Sequence, residues 1–84
     1  MDARTVESLL RQHFEPQDDG VVVSVSGAGA NYDITVVSGL FAEQRAVKRQ
    51  QTVYGALREA IASGSIHAVN IQALTPDEAE ARGA

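Results

Sequence analysis

Apolar residues recur along this chain with two different periods, and each change of period marks an element. Val6, Leu9, Leu10 and Phe14 stand at i, i+3, i+4 and i+8, one stripe of a helix. Asp2 can cap that helix, and Glu15-Pro16 through Gly20 stop it. His13 falls in its last turn, where an imidazolium interacts favourably with the helix dipole. Val21, Val23 and Val25 then alternate with Val22, Ser24 and Ser26, while Tyr32, Ile34 and Val36 alternate with Asp33, Thr35 and Val37. Period two in β-branched residues predicts strands over 21–26 and 32–37. The loop Gly27-Ala28-Gly29-Ala30-Asn31 between them makes a hairpin, its glycines admitting positive φ. No lysine follows that loop and no helix opens after it, so it is not a phosphate loop.

After a turn at Ser38-Gly39-Leu40-Phe41 the period returns to that of a helix, running to about Ala62. Val47, Tyr54, Leu57 and Ile61, spaced by 7, 3 and 4, form the face expected to meet the sheet. Gly64 ends this helix. A third strand is predicted over 66–73, with Val69, Ile71 and Ala73 in the parity of His67. Thr75-Pro76-Asp77-Glu78 is a capping box with proline in the first helical position, opening a short acidic helix. The order is α-β-β-α-β-α, without internal repeat. The second strand, long helix and third strand make a right-handed crossover, so those two strands should run parallel. The expected fold class is α+β: a two-layer sandwich with a three-stranded mixed sheet, one domain over residues 1–84.

Composition narrows the chemistry. The absence of cysteine among 84 residues removes disulfides, thiolate zinc sites and any self-sufficient iron–sulfur site. No apolar run exceeds three residues, and MDARTVESLL lacks the basic-then-apolar pattern of a signal peptide, so a cytoplasmic protein without membrane contact is expected. The net charge of −4 argues against a generic nucleic-acid binder. It is unevenly spread: residues 44–58 hold four cations and no acid, while the remainder holds three cations and eleven acids. Arg45, Lys48 and Arg49 share a solvent side of the long helix with Gln50 beside them. Such a face can meet phosphates and base edges, an acidic protein patch, or only solvent. There is no nucleophile–His–Asp spacing, no HExxH and no carboxylate pair beside a histidine, so an enzyme is not expected. His67, taken on local pattern alone, is a structural residue at a strand start.

Three stretches carry a resemblance to known proteins. They are Val37-Ser38-Gly39-Leu40-Phe41, then Val47-Lys48-Arg49-Gln50-Gln51-Thr52-Val53-Tyr54-Gly55-Ala56-Leu57, then Ile66-His67-Ala68-Val69-Asn70-Ile71-Gln72-Ala73-Leu74-Thr75-Pro76-Asp77-Glu78. With the matching element order, the chain resembles the BolA family over nearly its whole length. The run Gln50-Gln51-Thr52-Val53-Tyr54-Gly55 favours the IbaG (YrbA-like) branch. The resemblance implies a fold similar to class II KH domains. It also implies a non-enzymatic partner of monothiol CGFS-type glutaredoxins in iron–sulfur metabolism and the acid and oxidative stress response. In such complexes a [2Fe-2S] cluster is shared among a glutaredoxin cysteine, the glutathione thiolate and BolA-type ligands.

By the same resemblance, His67 matches the family's constant ligand. Asn31 stands where the second ligand is usually histidine or cysteine, and a carboxamide is a poor iron donor. The expectation is no cofactor bound by the chain alone and a labile cluster shared in the complex. Imidazole binds metal in its neutral form, so binding through His67 weakens on acidification. Ala79 stands where the family often has tryptophan, so the terminal helix is expected to dock weakly. The alternative reading is a KH-like, DNA-binding transcriptional regulator using Arg45, Lys48, Arg49 and Gln50. The chain lacks a GXXG loop, and three cations give a shallow salt slope, hence weak DNA binding. A monomer or weak homodimer is the expected assembly.

Overall fold

Strict alternation of apolar side chains gives a sheet with one buried face. In the computed structural model, which describes residues 2–29 and 31–82, β1 (Val22–Ala28), β2 (Asn31–Val37) and β3 (Ala68–Leu74) lie side by side in that order. The central strand β2 runs antiparallel to β1 and parallel to β3, as the crossover requires. The rows Val23–Val36–Ala73 and Val25–Ile34–Ile71 cross the apolar face, with Ile34 and Val36 fully enclosed. Ser24, Ser26, Asp33, Thr35, Asn70 and Gln72 occupy the opposite, solvent-facing side. The observed layers and strand directions are those of the α+β sandwich expected.

Helix α1 (Ala3–Phe14) starts where the Asp2 carboxylate accepts from the Thr5 amide at 2.8 Å, which lowers the Asp2 pKa. Val6, Leu10 and Phe14 are buried, and α1 packs across β1. Phe14 meets Phe41 edge to face, with ring centroids 6.1 Å apart. Phe41 ends a short 3-10 turn, Gly39–Phe41. The Ser38 hydroxyl before that turn is buried; it donates to Asp18 at 2.7 Å and accepts from the Leu40 amide at 3.1 Å. That hydroxyl, with the Gly20 amide, holds the Asp18 carboxyl below its usual range.

The long crossover helix departs from expectation in two ways. It is two helices, α2 (Ala46–Ala56) and α3 (Arg58–Ala62), interrupted at Leu57, whose φ of −111° and ψ of 8° are not helical. It is also rotated. Val53, Leu57 and Ala60 face the core, whereas Val47 is 70% and Tyr54 43% exposed. Val53, Leu57 and Ala60 form their own i, i+4, i+7 stripe, roughly 100° around the axis from Val47 and Tyr54. Leu57 belongs to both readings, so spacing alone does not separate them. Gly64, at φ +81°, closes α3 as expected.

The strands reach further into the hairpin than the glycine-rich pattern suggests, because Ala28 pairs with Asn31. Ala30, placed in that loop by the sequence, lies outside the described residues. Gly27 has φ +121°, and a Cβ there would collide with the Asn31 carbonyl oxygen. Gly27→Ala is therefore expected to destabilise the fold by about 1–3 kcal/mol. Urea unfolding measures this, and an unchanged midpoint would show that the hairpin relaxes freely.

Candidate functional site

Two regions hold the residues singled out by sequence. The first is the end of the sheet where β3 begins. Ile66 is buried and anchors the chain after α3; the next side chain, His67, is exposed. Among the described residues its ring has no hydrogen-bond partner. Ala68, the residue after it, pairs with Asn31 at the start of β2, so the structure brings His67 and Asn31 to one end of adjacent strands. Tyr32 stiffens this end: it is buried, and its hydroxyl donates to the Gly29 carbonyl at 2.7 Å. Gly64 lies close by, since a Cβ built on it would sit 3.8 Å from His67 Nε2.

As a donor set this end is sparse. It offers one imidazole, the Asn31 amide and, further along the open face, the Asp33 carboxylate. Among the described residues no three His, Cys, Asp or Glu side chains gather in one place. A [2Fe-2S] cluster takes four ligands, so these residues do not fit a cluster held by this chain alone.

The second region is the N-terminal half of α2. Here the structure departs from the expectation of a solvent-facing cluster. The Arg49 side chain is 16% exposed. Its Nε donates to the Gln44 carbonyl at 2.8 Å and its Nη1 to the Ala73 carbonyl at 3.1 Å. Nη1 and Nη2 reach the two Glu78 carboxylate oxygens at 2.6 and 3.3 Å. Gln50 donates to the Ile71 carbonyl at 2.9 Å. The two side chains thus cover carbonyls of the β3 edge, which would otherwise be open to another strand. Arg45 and Lys48 remain exposed.

Glu78 belongs to α4 (Pro76–Ala81), where it also closes the predicted capping box: its carboxylate accepts from the Thr75 amide at 2.9 Å, and its amide donates to Thr75 Oγ1 at 3.2 Å. The terminal helix is therefore held by a forked ion pair and a buried Ala79 where a large aromatic group is absent. A groove of about 810 Å³ runs along this edge, with Arg45 and Arg82 on its walls. The Arg49–Glu78 link was not readable from sequence, since 29 residues separate the partners. The exposed pair Val47 and Tyr54 was hidden by the choice between two equally apolar helix faces.

The order of elements and the mixed sheet define a small BolA-type α+β protein. A family model described as BolA-like protein matches residues 5–78, and the chain belongs to that family. It is 42% identical over 78 residues to the acid stress protein IbaG of Escherichia coli strain K12, spanning 93% of this chain and 88% of that protein, which places it on the IbaG branch. A bolA protein homologue from Coxiella burnetii superposes with a TM-score of 0.77 at 26% identity, over 95% of this chain and 97% of that one. The BolA domain of SufE1 from Arabidopsis thaliana gives 0.71 at 29% identity, over 86% and 93%.

The Arg49 guanidinium, then the Thr75 amide, pull the Glu78 pKa from its ordinary 4.5 to about 2. A carboxyl whose folded pKa is depressed adds stability above its unfolded pKa and loses it as pH falls through the folded one. Glu78→Gln should therefore be less stable than wild type at pH 7, the gap closing between pH 4.5 and about 2. Urea unfolding across that range is the check; a gap independent of pH would assign the effect to the capping box.

Proposed function

We propose that this chain is a non-enzymatic, IbaG-type stress adaptor that partners a monothiol CGFS-type glutaredoxin in iron–sulfur metabolism. The observation that carries the reading is the exposed imidazole of His67 at the open end of the sheet, without a hydrogen-bond partner among the described residues. An exposed imidazole at a rim stiffened by Ile66 and Tyr32 can reach a metal centre held by another molecule. The family membership and the acid-stress name of the Escherichia coli relative support the same reading.

In this reading the [2Fe-2S] cluster is cargo that arrives on the partner. The glutaredoxin cysteine and glutathione supply thiolates, His67 supplies one nitrogen, and Asn31 leaves the fourth position poorly served. The shared cluster is accordingly labile. Acid protonates imidazole and releases it from metal, which is a direct chemical route from falling pH to loss of the shared cluster. Regulation through DNA is the weaker reading, because Arg49 and Gln50 spend their donors on β3 and α4.

Titration of a cluster-loaded monothiol glutaredoxin, followed by visible absorption and circular dichroism, tests this. Wild type should give a shifted spectrum that decays faster than that of Asn31→His, and His67→Ala should give no shift. A wild-type complex as distinct and long-lived as that of Asn31→His would overturn the labile-cluster reading. A spectral shift retained by His67→Ala would remove the imidazole from it.

A further inference from the structure

Three large apolar side chains are exposed among the described residues: Val22, Val47 and Tyr54. An isolated exposed valine is unremarkable on a protein surface. Val47 and Tyr54 are not isolated, since they stand seven residues apart on one stripe of α2. Gln51 lies between them, and the stripe continues past the break at Leu57 to Arg58 and Ile61. Tyr54, Arg58, Ile61 and Ala62 line a shallow groove of about 690 Å³. A tyrosine with one face on the protein and one in water is, with tryptophan and arginine, among the side chains enriched at protein interfaces.

Charge selects the occupant. No acid occurs between Gln44 and Arg58, and Arg45, Lys48 and Arg58 are exposed without an ion pair among the described residues. A second copy docking by the same stripe would set like charges against each other, which opposes pairing. A nucleic acid would use the cations but gain nothing from Val47, and Arg49 and Gln50 are engaged elsewhere. An apolar protein segment flanked by carboxylates satisfies both features.

The groove and the imidazole are joined by a short stretch of chain. Its last lining residues, Ile61 and Ala62, immediately precede the turn in which Gly64 approaches His67. We infer that the stripe Val47–Tyr54–Arg58 is the docking surface for an acidic, apolar-anchored segment of the partner protein. This rests on the adaptor reading and deepens it: binding strength lies on α2–α3, and His67 meets the cargo at the end of the docked surface.

The experiment is calorimetric titration of cluster-free monothiol glutaredoxin into wild type, Val47→Ser/Tyr54→Ser, Lys48→Glu/Arg58→Glu and Val22→Ser, each checked for native circular dichroism. These side chains are exposed, so the folds should be retained. The two double variants should weaken binding at least tenfold, and Val22→Ser, on the far strand β1, should bind as wild type. Full binding by both double variants beside a binding wild type would overturn the docking surface and leave the adaptor reading standing. Absence of binding by wild type would overturn the adaptor reading and this inference with it. A duplex DNA titrated in parallel that binds wild type tightly and is lost only on Lys48→Glu/Arg58→Glu would assign the stripe to nucleic acid instead.

Discussion

Arg49 and Gln50 follow one another on α2 and donate to carbonyl oxygens two residues apart on β3, those of Ala73 and Ile71. Two adjacent side chains gripping one strand fix the rotation of the helix about its axis as well as its distance from the sheet. Val53, Leu57 and Ala60 are thereby turned into the core. Val47 and Tyr54 are turned out by the same rotation. The guanidinium then extends to Glu78, so one group sets the attitude of α2, closes the β3 edge and seats α4. A bidentate arginine suits this role because its donors form a rigid fork, which a lysine does not offer.

How much of this was legible in the sequence follows from how local each determinant is. The strands are legible because alternation is a property of neighbours: Tyr32, Ile34 and Val36 announce their own burial. The cap at Asp2 and the box at Thr75-Pro76-Asp77-Glu78 span only three residues and reveal themselves. The rotation of α2 does not, because the apolar residues fit two faces and the deciding contact, Arg49 with Ala73, is remote in the chain. The break at Leu57 is equally silent, since neither proline nor glycine occupies it. For the candidate site, the pattern placed His67 at the start of a strand. Its exposure depends on Ile66 entering the core first, which alternation alone does not decide at a strand end.

The distribution of charge gives the two candidate regions different characters. The imidazole end offers a single strong nitrogen donor beside the Asn31 amide and the Asp33 carboxylate, so selectivity there would have to come from what a partner brings. The α2–α3 surface carries excess positive charge on a body that is otherwise acidic. Long-range attraction would therefore orient an acidic partner of the kind proposed toward this one side before contact is made. In the adaptor reading proposed above, orientation and ligation fall to different elements, joined through the Gly64 turn.

The closed edge of β3 has a consequence for self-association. A sheet can polymerise only if it exposes two complementary borders, because each added copy must leave a free strand for the next. With side chains occupying the Ala73 and Ile71 carbonyls of one border, strand addition at β3 is disfavoured, which works against open-ended growth through β1 while the native helix stays in place.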